Sequence, residues 1–186
     1  MAIKHDEPPR TGADLLAFML EQLDVVQQRI KNDELNSWKL FYKDDGSTPQ
    51  GEECCRDRLI GMLENTGGSI RYVPESRVVD QKRVDIMCET MDFNLPIEIK
   101  SSWNRQLWSA ADQQLHDGYV SFHKGSKLGI YLVLWFGDQP KKPPRPADKS
   151  PLPSSPEQLK TMLEERSEAV KTGRVKVMVM DMTRSH

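Results

Sequence analysis

Two short apolar segments constrain the fold of this chain more than any other feature. One reads Arg-Val-Asp-Ile-Met-Cys over residues 83–88, and the other reads Leu-Pro-Ile-Glu-Ile-Lys over residues 95–100. Successive side chains of a strand point to opposite faces, so this alternation predicts two strands that each bury one face. The residues expected on the buried face are Val84, Ile86, Cys88, Ile97 and Ile99.

The register of the two strands follows from matching their apolar residues. An antiparallel pairing about a turn centred on Met91 and Asp92 sets each apolar side chain opposite an apolar partner, as one buried face requires. The predicted pairs are Cys88–Leu95, Ile86–Ile97, Asp85–Glu98, Val84–Ile99 and Arg83–Lys100. Pro96 cannot donate to the ladder, so full pairing is expected only from Ile97 onward. Directly opposed Cβ atoms lie roughly 4.5 to 5.5 Å apart, close enough for two carboxylates to share a cation.

The other face of this ribbon brings two acids and a lysine together. Two unit charges about 4 Å apart repel by roughly 4 kcal/mol at an effective dielectric near 20, so Asp85 and Glu98 either raise one pKa or recruit a counter-charge. Mg²⁺ is typically held by one or two carboxylates together with substrate phosphates. Lys100 could orient a water molecule or stabilise charge on a phosphate. An exposed ion pair without function is the alternative, and the paired Asp85 favours the metal site.

Composition limits the function classes. The 186 residues fit one domain and can bury a proper core. A net charge of −2 and a pI near 6.1 provide no global basic field, so contact with nucleic acid would need a local patch. Three cysteines without zinc-site spacing favour a reducing cytoplasm. No apolar run reaches the roughly 18 residues of a membrane span, and no signal-peptide pattern is present, so no membrane contact is expected.

Residues 1–46 are predicted to form an N-terminal helix and linker, ahead of a domain over residues 47–186. Thr11 is a suitable N-cap, and apolar residues at helical spacing predict a helix over residues 12–31. Those apolar residues are Leu15, Leu16, Phe18, Met19, Leu23, Val26 and Ile30. The simplest interpretation is a helix that packs on its own domain. Contact of this helix with an upstream domain or a partner protein, and a homodimer, remain alternatives.

A second helix is predicted to begin near Pro49, with Ser47 or Thr48 as its cap, and to continue to about Asn65. Its sheet-facing stripe comprises Glu52, Cys55, Leu59 and Leu63. Glu52 therefore lies at the end of an otherwise apolar face and becomes a candidate site residue. A first-turn acid that responds to the helix dipole explains Glu52 as well, and Glu53 is the other candidate.

The rest of the chain predicts further strands and helices. The expected elements are a strand at 69–73, a turn at Pro74, a helix at 106–116, a buried central strand at 129–136, a helix from 155 or 156 to about 171 and a strand at 175–182. Residues 138–156 contain seven of the twelve prolines and are expected to form an extended or mobile loop. The cations of this loop could contact a phosphate backbone, although a solvated linker is the simpler interpretation.

The order helix, three strands, helix, strand, with an acid on the first helix, Asp85 on the second strand and Glu98-x-Lys100 on the third, resembles the PD-(D/E)XK nuclease superfamily over roughly residues 50–182. Valine precedes Asp85 where the name-giving proline would stand. The resemblance implies an α/β, restriction-endonuclease-like three-layer core, in which helices flank a central mixed sheet and an extra N-terminal helix is added. It also implies that Asp85 and Glu98 bind Mg²⁺, that Lys100 assists water attack on a phosphodiester and that Glu52 completes the catalytic site.

The function expected from this resemblance is a Mg²⁺-dependent nuclease, with Mn²⁺ as a substitute and DNA as the expected substrate. Arg83 or Arg105 would hold a phosphate, Gln114 is a further nucleic-acid contact, and Trp103 would stack on a base or belong to the core. The stretch over residues 101–108 is similar to bacterial modules of larger, often defence-associated proteins. The alternatives are a catalytically silent binding or assembly module of a larger protein, and an unrelated α/β protein with surface acids.

Overall fold

A mixed five-stranded sheet forms the centre of the protein, with strand order β1-β2-β3-β4-β5. The strands are β1 (Arg71–Arg77), β2 (Arg83–Glu89), β3 (Asn94–Ser101), β4 (Gly129–Trp135) and β5 (Val175–Asp181). Strands β1, β2 and β3 pair antiparallel, whereas β3 pairs parallel with β4 and β4 with β5. This computed structural model describes residues 9–44, 46–66, 70–77, 83–120, 127–137 and 141–184.

Helices cover both faces of the sheet. They are α1 (Gly12–Asn32), a short 3₁₀ helix (Ser37–Phe41), α2 (Glu52–Glu64), a π-helix (Ala111–Val120), α3 (Pro156–Arg166) and α4 (Glu168–Lys171). One apolar core lies between the sheet and the pair α1 and α2, and a second lies between the sheet and the π-helix, α3 and α4. Every residue of β4 is buried, which confirms the predicted central strand. Within the described ranges, no helix is long and apolar enough to cross a membrane.

Helix α1 packs on its own sheet. The Thr11 side chain accepts a hydrogen bond from the Asp14 N–H, as the cap prediction required. Leu15 and Leu23 are 0% exposed and belong to the core shared with the sheet. The Gln27 side chain forms two hydrogen bonds with the main chain of β5, to the Asp181 N–H and carbonyl. Leu15 and Leu23 are therefore not accessible to a partner protein.

Two boundary predictions near the start of the sheet are wrong. Helix α2 begins at Glu52 with Gly51 as its cap, because Pro49 instead forms a β-bridge with Tyr42. The predicted turn at Pro74 is absent, since β1 continues through this residue to Arg77. Proline is tolerated in an edge strand, and β1 is an edge strand of this sheet.

The helix predicted over residues 106–116 is also wrong in its start and its geometry. Turns occupy residues 102–109, and the helical segment that follows is the π-helix. The residues predicted on its buried side were Leu107, Trp108, Ala111 and Leu115, of which Trp108 is half-buried and the other three are buried. The helix predicted from residue 155 or 156 to about 171 is divided at Ser167 into α3 and α4.

From residue 141 the proline-rich loop over residues 138–156 has no helix or strand before Pro156 and turns at Ala147 and Asp148, and it is anchored to the domain at several points. Pro143 and Pro153 are buried. The Trp108 indole N–H donates to the Pro144 carbonyl at 2.8 Å, and Arg166 forms a 2.6 Å ion pair with Asp148. These contacts hold the segment against the rest of the domain.

The β2–β3 hairpin has the predicted register. Its four Cα pairs run from Ile86–Ile97 to Glu89–Asn94, and the turn lies at Met91 and Asp92. The pairing of β2 and β3 includes Pro96 and ends at the Ile86–Ile97 pair. The prediction that full pairing would be found only from Ile97 onward is therefore wrong. The pairs Asp85–Glu98, Val84–Ile99 and Arg83–Lys100 fall beyond the ladder.

Val84 departs from the predicted face. It packs in the core on the side of the π-helix, whereas Ile86 and Cys88 pack on the side of α1 and α2. Strand β1 is irregular at the same level, since Glu75 has a positive φ of 48° and pairing is interrupted opposite Asp85. The backbone of β2 therefore loses its regular alternation at Asp85.

Candidate active site

The candidate site lies where β2 and β3 separate. Beyond the Ile86–Ile97 pair the ladder ends, and the Asp85 carboxylate takes the place of a backbone partner. Its Oδ2 accepts a hydrogen bond from the Ile99 N–H at 2.7 Å. The separation turns the Asp85 side chain into the gap between the two strands. The Ile99 N–H fixes the Asp85 Oδ2 atom, and Oδ1 has no hydrogen bond to the residues that the structure describes.

Glu98 and Lys100 form a buried pair next to this gap. The Lys100 Nζ lies 2.5 Å from Glu98 Oε1, and the two side chains are only 9% and 6% exposed. The second oxygen, Glu98 Oε2, is buried and has no hydrogen-bond partner among the described residues. A buried carboxylate oxygen without a donor is costly, because its hydration is lost without replacement.

The pKa values in this pair reflect burial and crowding of the acids. Burial, followed by repulsion from Asp85, raises the pKa of Glu98 to about 7. Burial also raises the pKa of Asp85, although the Ile99 N–H and Lys100 oppose the rise. Burial lowers the pKa of Lys100, but the Glu98 carboxylate more than offsets this, and the net shift is upward. Lys100 therefore holds its proton at neutral pH, whereas Glu98 gains or loses its proton near neutral pH.

Glu52 joins the first turn of α2 to the end of β3. Its Oε1 accepts hydrogen bonds from the Ser101 N–H at 2.7 Å and from Asn104 Nδ2 at 2.8 Å. The charge of Glu52 acts on both Glu98 and Lys100, so the structure brings this predicted site residue to the site. Glu53, the alternative, is exposed on the neighbouring stripe.

Arg83 was predicted to lie opposite Lys100, but it forms an ion pair with an acid of β1 instead. Its guanidinium pairs with Glu75 Oε2 at 3.1 Å instead of standing opposite Lys100. Glu75 also accepts from Arg56 at 2.9 Å through Oε1. Arg56 is buried on α2 and its charge lowers the pKa of Asp85, in opposition to the effect of burial.

Trp103 lines a cleft of about 560 Å³ beside Glu52 and Ser101. Its ring lies 5.2 Å from that of Phe136, and the Lys141 ammonium lies 5.5 Å from its centroid. The ring is half-buried and packs against the core, and stacking of Trp103 on a base stays a prediction.

The two remaining predicted contacts lie outside this group. Arg105 is exposed on the turn that follows β3, and it does not line the cleft. Gln114 donates from Nε2 to Gln106 Oε1 at 2.7 Å, and its own Oε1 is buried without a partner among the described residues.

Three residues near the site were not identified from the sequence. Arg56 resembles any helix arginine, Asn104 resembles a loop residue, and Tyr131 lies inside an unbroken apolar run. The register of β3 and β4 sets Tyr131 beside Glu98, and its hydroxyl donates to the Leu107 carbonyl at 2.8 Å. Asn104 was the only one with a usable signal, since an asparagine directly after a site strand is a plausible cap for the turn that follows.

The donor set can be tested for its fit to a divalent ion. Glu98 Oε2 and Asp85 Oδ1 offer two carboxylate oxygens, which is the number of protein ligands that Mg²⁺ commonly takes. No cluster of three or more His, Cys, Asp or Glu side chains suited to a metal occurs in the described ranges. Two carboxylates with water completing the shell fit Mg²⁺ better than a fully protein-made cage.

A family model described as a domain of unknown function, DUF8371, matches residues 15–138, which is most of the chain. The chain belongs to this family. The DUF8371 region begins in α1 and ends just after β4, so it contains Glu52, Asp85, Glu98 and Lys100. Helices α3 and α4 and strand β5 follow it. Neither the curated proteins nor the solved structures contain a match to the chain.

Proposed function

We propose that this DUF8371 protein is a metal-dependent nuclease that hydrolyses phosphodiester bonds in nucleic acid, with DNA as the expected substrate. The observation that carries the proposal is the buried, partnerless Glu98 Oε2 beside Asp85 and Lys100. Repulsion between the acids and the unmet hydrogen-bonding capacity of Oε2 are both relieved by a divalent cation. Mg²⁺ is the proposed ion, and Mn²⁺ would replace it.

The fold supports the same proposal. A helix, three antiparallel strands, a helical segment and a parallel strand follow one another in the order expected of a restriction-endonuclease-like core. The acids lie on the second and third of these strands, and Glu52 begins the preceding helix. This is the arrangement that the resemblance to PD-(D/E)XK nucleases implies. A fold can serve several chemistries, so the acids and the lysine decide the proposal.

Asp85 and Glu98 would hold the ion, which supplies positive charge for the phosphate and acidifies water. Lys100 keeps its proton on Nζ and stabilises negative charge that develops on the phosphate. Lys100 contacts Glu98 at 2.5 Å, and with an ion held by Glu98 the lysine would be free to orient a water molecule. Glu52 fixes the end of β3 through Ser101 and so positions Lys100, the preceding residue.

Substrate contacts follow from the surroundings of these residues. Arg83 and Arg105 are proposed to hold phosphates, Trp103 to stack on a base, and Gln114 to contact the strand. Arg83 would have to exchange its contact with Glu75 for the phosphate. A cytoplasmic role in bacterial defence, a homodimer and attachment to an upstream domain or partner remain part of the proposal.

A catalytically silent nuclease-like binding or assembly module is the second candidate. The observation in its favour is the closed contact between Glu98 and Lys100, which neutralises the pair without a metal. In such a module the acids and the lysine hold β3 in place and bind nothing. It predicts no cleavage with either ion.

The decisive experiment is a cleavage assay with Mg²⁺ or Mn²⁺ on plasmid, linear duplex, single-stranded DNA and RNA. Wild-type protein should cleave at least one of these, and Glu98→Gln and Lys100→Ala should cleave none. Lys176→Ala is the matched control, because Lys176 is an exposed lysine of β5 in the same sheet. It should retain full activity.

Folding of each variant is checked by circular dichroism and urea unfolding, since Lys100 is buried. Glu98→Gln keeps the shape of the side chain and gives a second, better tolerated loss-of-charge variant. Cleavage that persists in folded Glu98→Gln protein would rule out the proposed site. A complete lack of cleavage on all four substrates would favour the silent module.

A further inference from the structure

The cleft beside Glu52 has the size and chemistry of a ligand site. Its volume of about 560 Å³ falls within the range of roughly 300 to 1,000 Å³ found for small-molecule sites. The loop that precedes α2 forms one wall, and the residues after β3 form the other. Asp85, Glu98 and Lys100 are not in the lining, and the link to them is Glu52, which lines the cleft and whose charge acts on Glu98 and Lys100.

An aromatic surface and two cations are the main chemical features of the cleft. Trp103 is held in place by its contact with Phe136, and Lys43 and Lys141 bring ammonium groups to the lining. Lys141 lies over the Trp103 ring at 5.5 Å. A flat, π-rich group that carries negative charge matches this combination, and a nucleobase with its phosphate is such a group.

The acids in the lining do not prevent binding of such a group. Glu52 already accepts two hydrogen bonds through Oε1, from the Ser101 N–H and Asn104 Nδ2, which partly neutralise it. Glu53 is exposed to solvent, where its charge is screened. Gln50 lies in the lining and provides an amide oxygen for a base edge, while Asn104 is engaged with Glu52 and Gln106.

A base within a duplex cannot use this surface, because both of its faces are stacked on neighbouring bases. The cleft is also too small to enclose a duplex, because a duplex is wider than its own major groove, which measures about 12 Å. We infer that the cleft binds one unpaired nucleotide, stacked on Trp103 with its phosphate near Lys141. The preferred nucleic acid is then a single strand, a frayed end or a flap. This inference rests on the proposed function, since it names the substrate class of the same site.

The test is equilibrium binding of a fluorescently labelled single strand and of the matching duplex, measured by anisotropy with Ca²⁺ at several salt concentrations. The single strand should bind more tightly than the duplex. Trp103→Leu should weaken single-strand binding on the order of tenfold, while Trp103→Phe should keep most of the affinity, because a ring remains for stacking. Lys141→Gln should reduce the slope of log K against log salt by about 0.7.

Lys142→Gln is the matched control, because Lys142 is the adjacent exposed lysine and lines a different cavity. It should change neither the affinity nor the slope. Equal binding of duplex and single strand, equal losses in Trp103→Phe and Trp103→Leu, or equal effects of Lys141→Gln and Lys142→Gln would each overturn the inference. If Lys141→Gln misfolds, Lys43→Gln replaces it with the same expectation.

The cleavage assay keeps this inference separate from the proposed nuclease activity. Single-strand binding that depends on Trp103, without any cleavage, would leave the cleft assignment standing and refute the nuclease. Cleavage with a preference for duplex would support the nuclease and overturn the cleft assignment.

Discussion

Ionisation of Glu98 should destabilise the metal-free protein, because its carboxyl group is buried beside Asp85. Burial raises the pKa of Glu98 from 4.5 to about 7 in the folded protein. The folded state therefore binds more protons than the unfolded state between these two values, and stability falls as the pH rises through this window. One pKa unit is about 1.4 kcal/mol, so the loss is complete above pH 7 and amounts to roughly 3 kcal/mol at most.

Glu98→Gln isolates this effect from the other titrating groups, since glutamine imitates the protonated acid. Urea unfolding in EDTA, followed by tryptophan fluorescence at pH 4.5, 5.5, 6.5 and 7.5, gives the free energy of unfolding of both proteins. The two should be about equally stable at pH 4.5. At pH 7.5 the variant should be more stable than wild type by up to roughly 3 kcal/mol.

Addition of Mg²⁺ should reverse the difference. An ion bound to the ionised carboxylates stabilises the folded state by mass action, so Mg²⁺ should stabilise wild-type protein at pH 7.5 and have no effect on Glu98→Gln. A stability difference that stays constant from pH 4.5 to 7.5 would refute the reasoning about Glu98. A rise in wild-type stability relative to the variant with increasing pH would refute it as well.

Three further predictions concern contacts around the site and the packing of α1. Lys100→Ala removes the partner of a buried charge and should lower the free energy of unfolding by about 3 to 5 kcal/mol in EDTA, measured by urea unfolding. Mg²⁺ should recover more stability in this variant than in wild type, and the absence of this extra recovery would contradict a metal site. Asn104→Ala takes one of two donors from Glu52 and should cost about 1 to 2 kcal/mol by the same method, with reduced cleavage, whereas unchanged stability would mean that the hydrogen bond contributes nothing. Gln27→Ala leaves the Asp181 main chain without its two partners and should cost about 1 to 3 kcal/mol, and wild-type stability would show that water replaces them.

Features that depend on burial alone could be predicted from the sequence. The alternation over residues 83–88 and 95–100 gave the register of the hairpin, because a shift by one residue would expose every apolar side chain. The unbroken apolar run of β4 identified the central strand for the same reason. The grouping of Asp85, Glu98 and Lys100 was predicted from a continuation of this register, whereas the observed ladder ends at the Ile86–Ile97 pair.

Features that depend on distant contacts could not be predicted. Helix α2 begins at Glu52 because Pro49 pairs with Tyr42, and no local pattern indicates that bridge. Val84 changes face next to the level where Glu75, on another strand, has a positive φ and pairing is interrupted. The separation of β2 and β3 is accompanied by the Asp85–Ile99 hydrogen bond, which exists only in the folded chain.

The residues of the candidate site also differ in whether a local pattern or a distant contact determines their position. Glu98 and Lys100 lie on a regular strand, where a period of two determines their direction, whereas Asp85 lies where β2 loses this alternation. The residues around them, Arg56 and Asn104, lie in a helix interior and a loop, where single letters carry little information. Arg56 is buried only because Glu75 and Asp57 satisfy its guanidinium.

Binding of a divalent ion by Asp85 and Glu98 is tested most directly by anomalous diffraction from a crystal soaked in Mn²⁺ at pH 7.5. We expect an anomalous peak within about 2.0 to 2.2 Å of one oxygen of each carboxylate, with Lys100 moved away from Glu98. A fully soaked crystal without a peak at this position, in which Lys100 still contacts Glu98 at 2.5 Å, would contradict the metal site and the nuclease proposed from it.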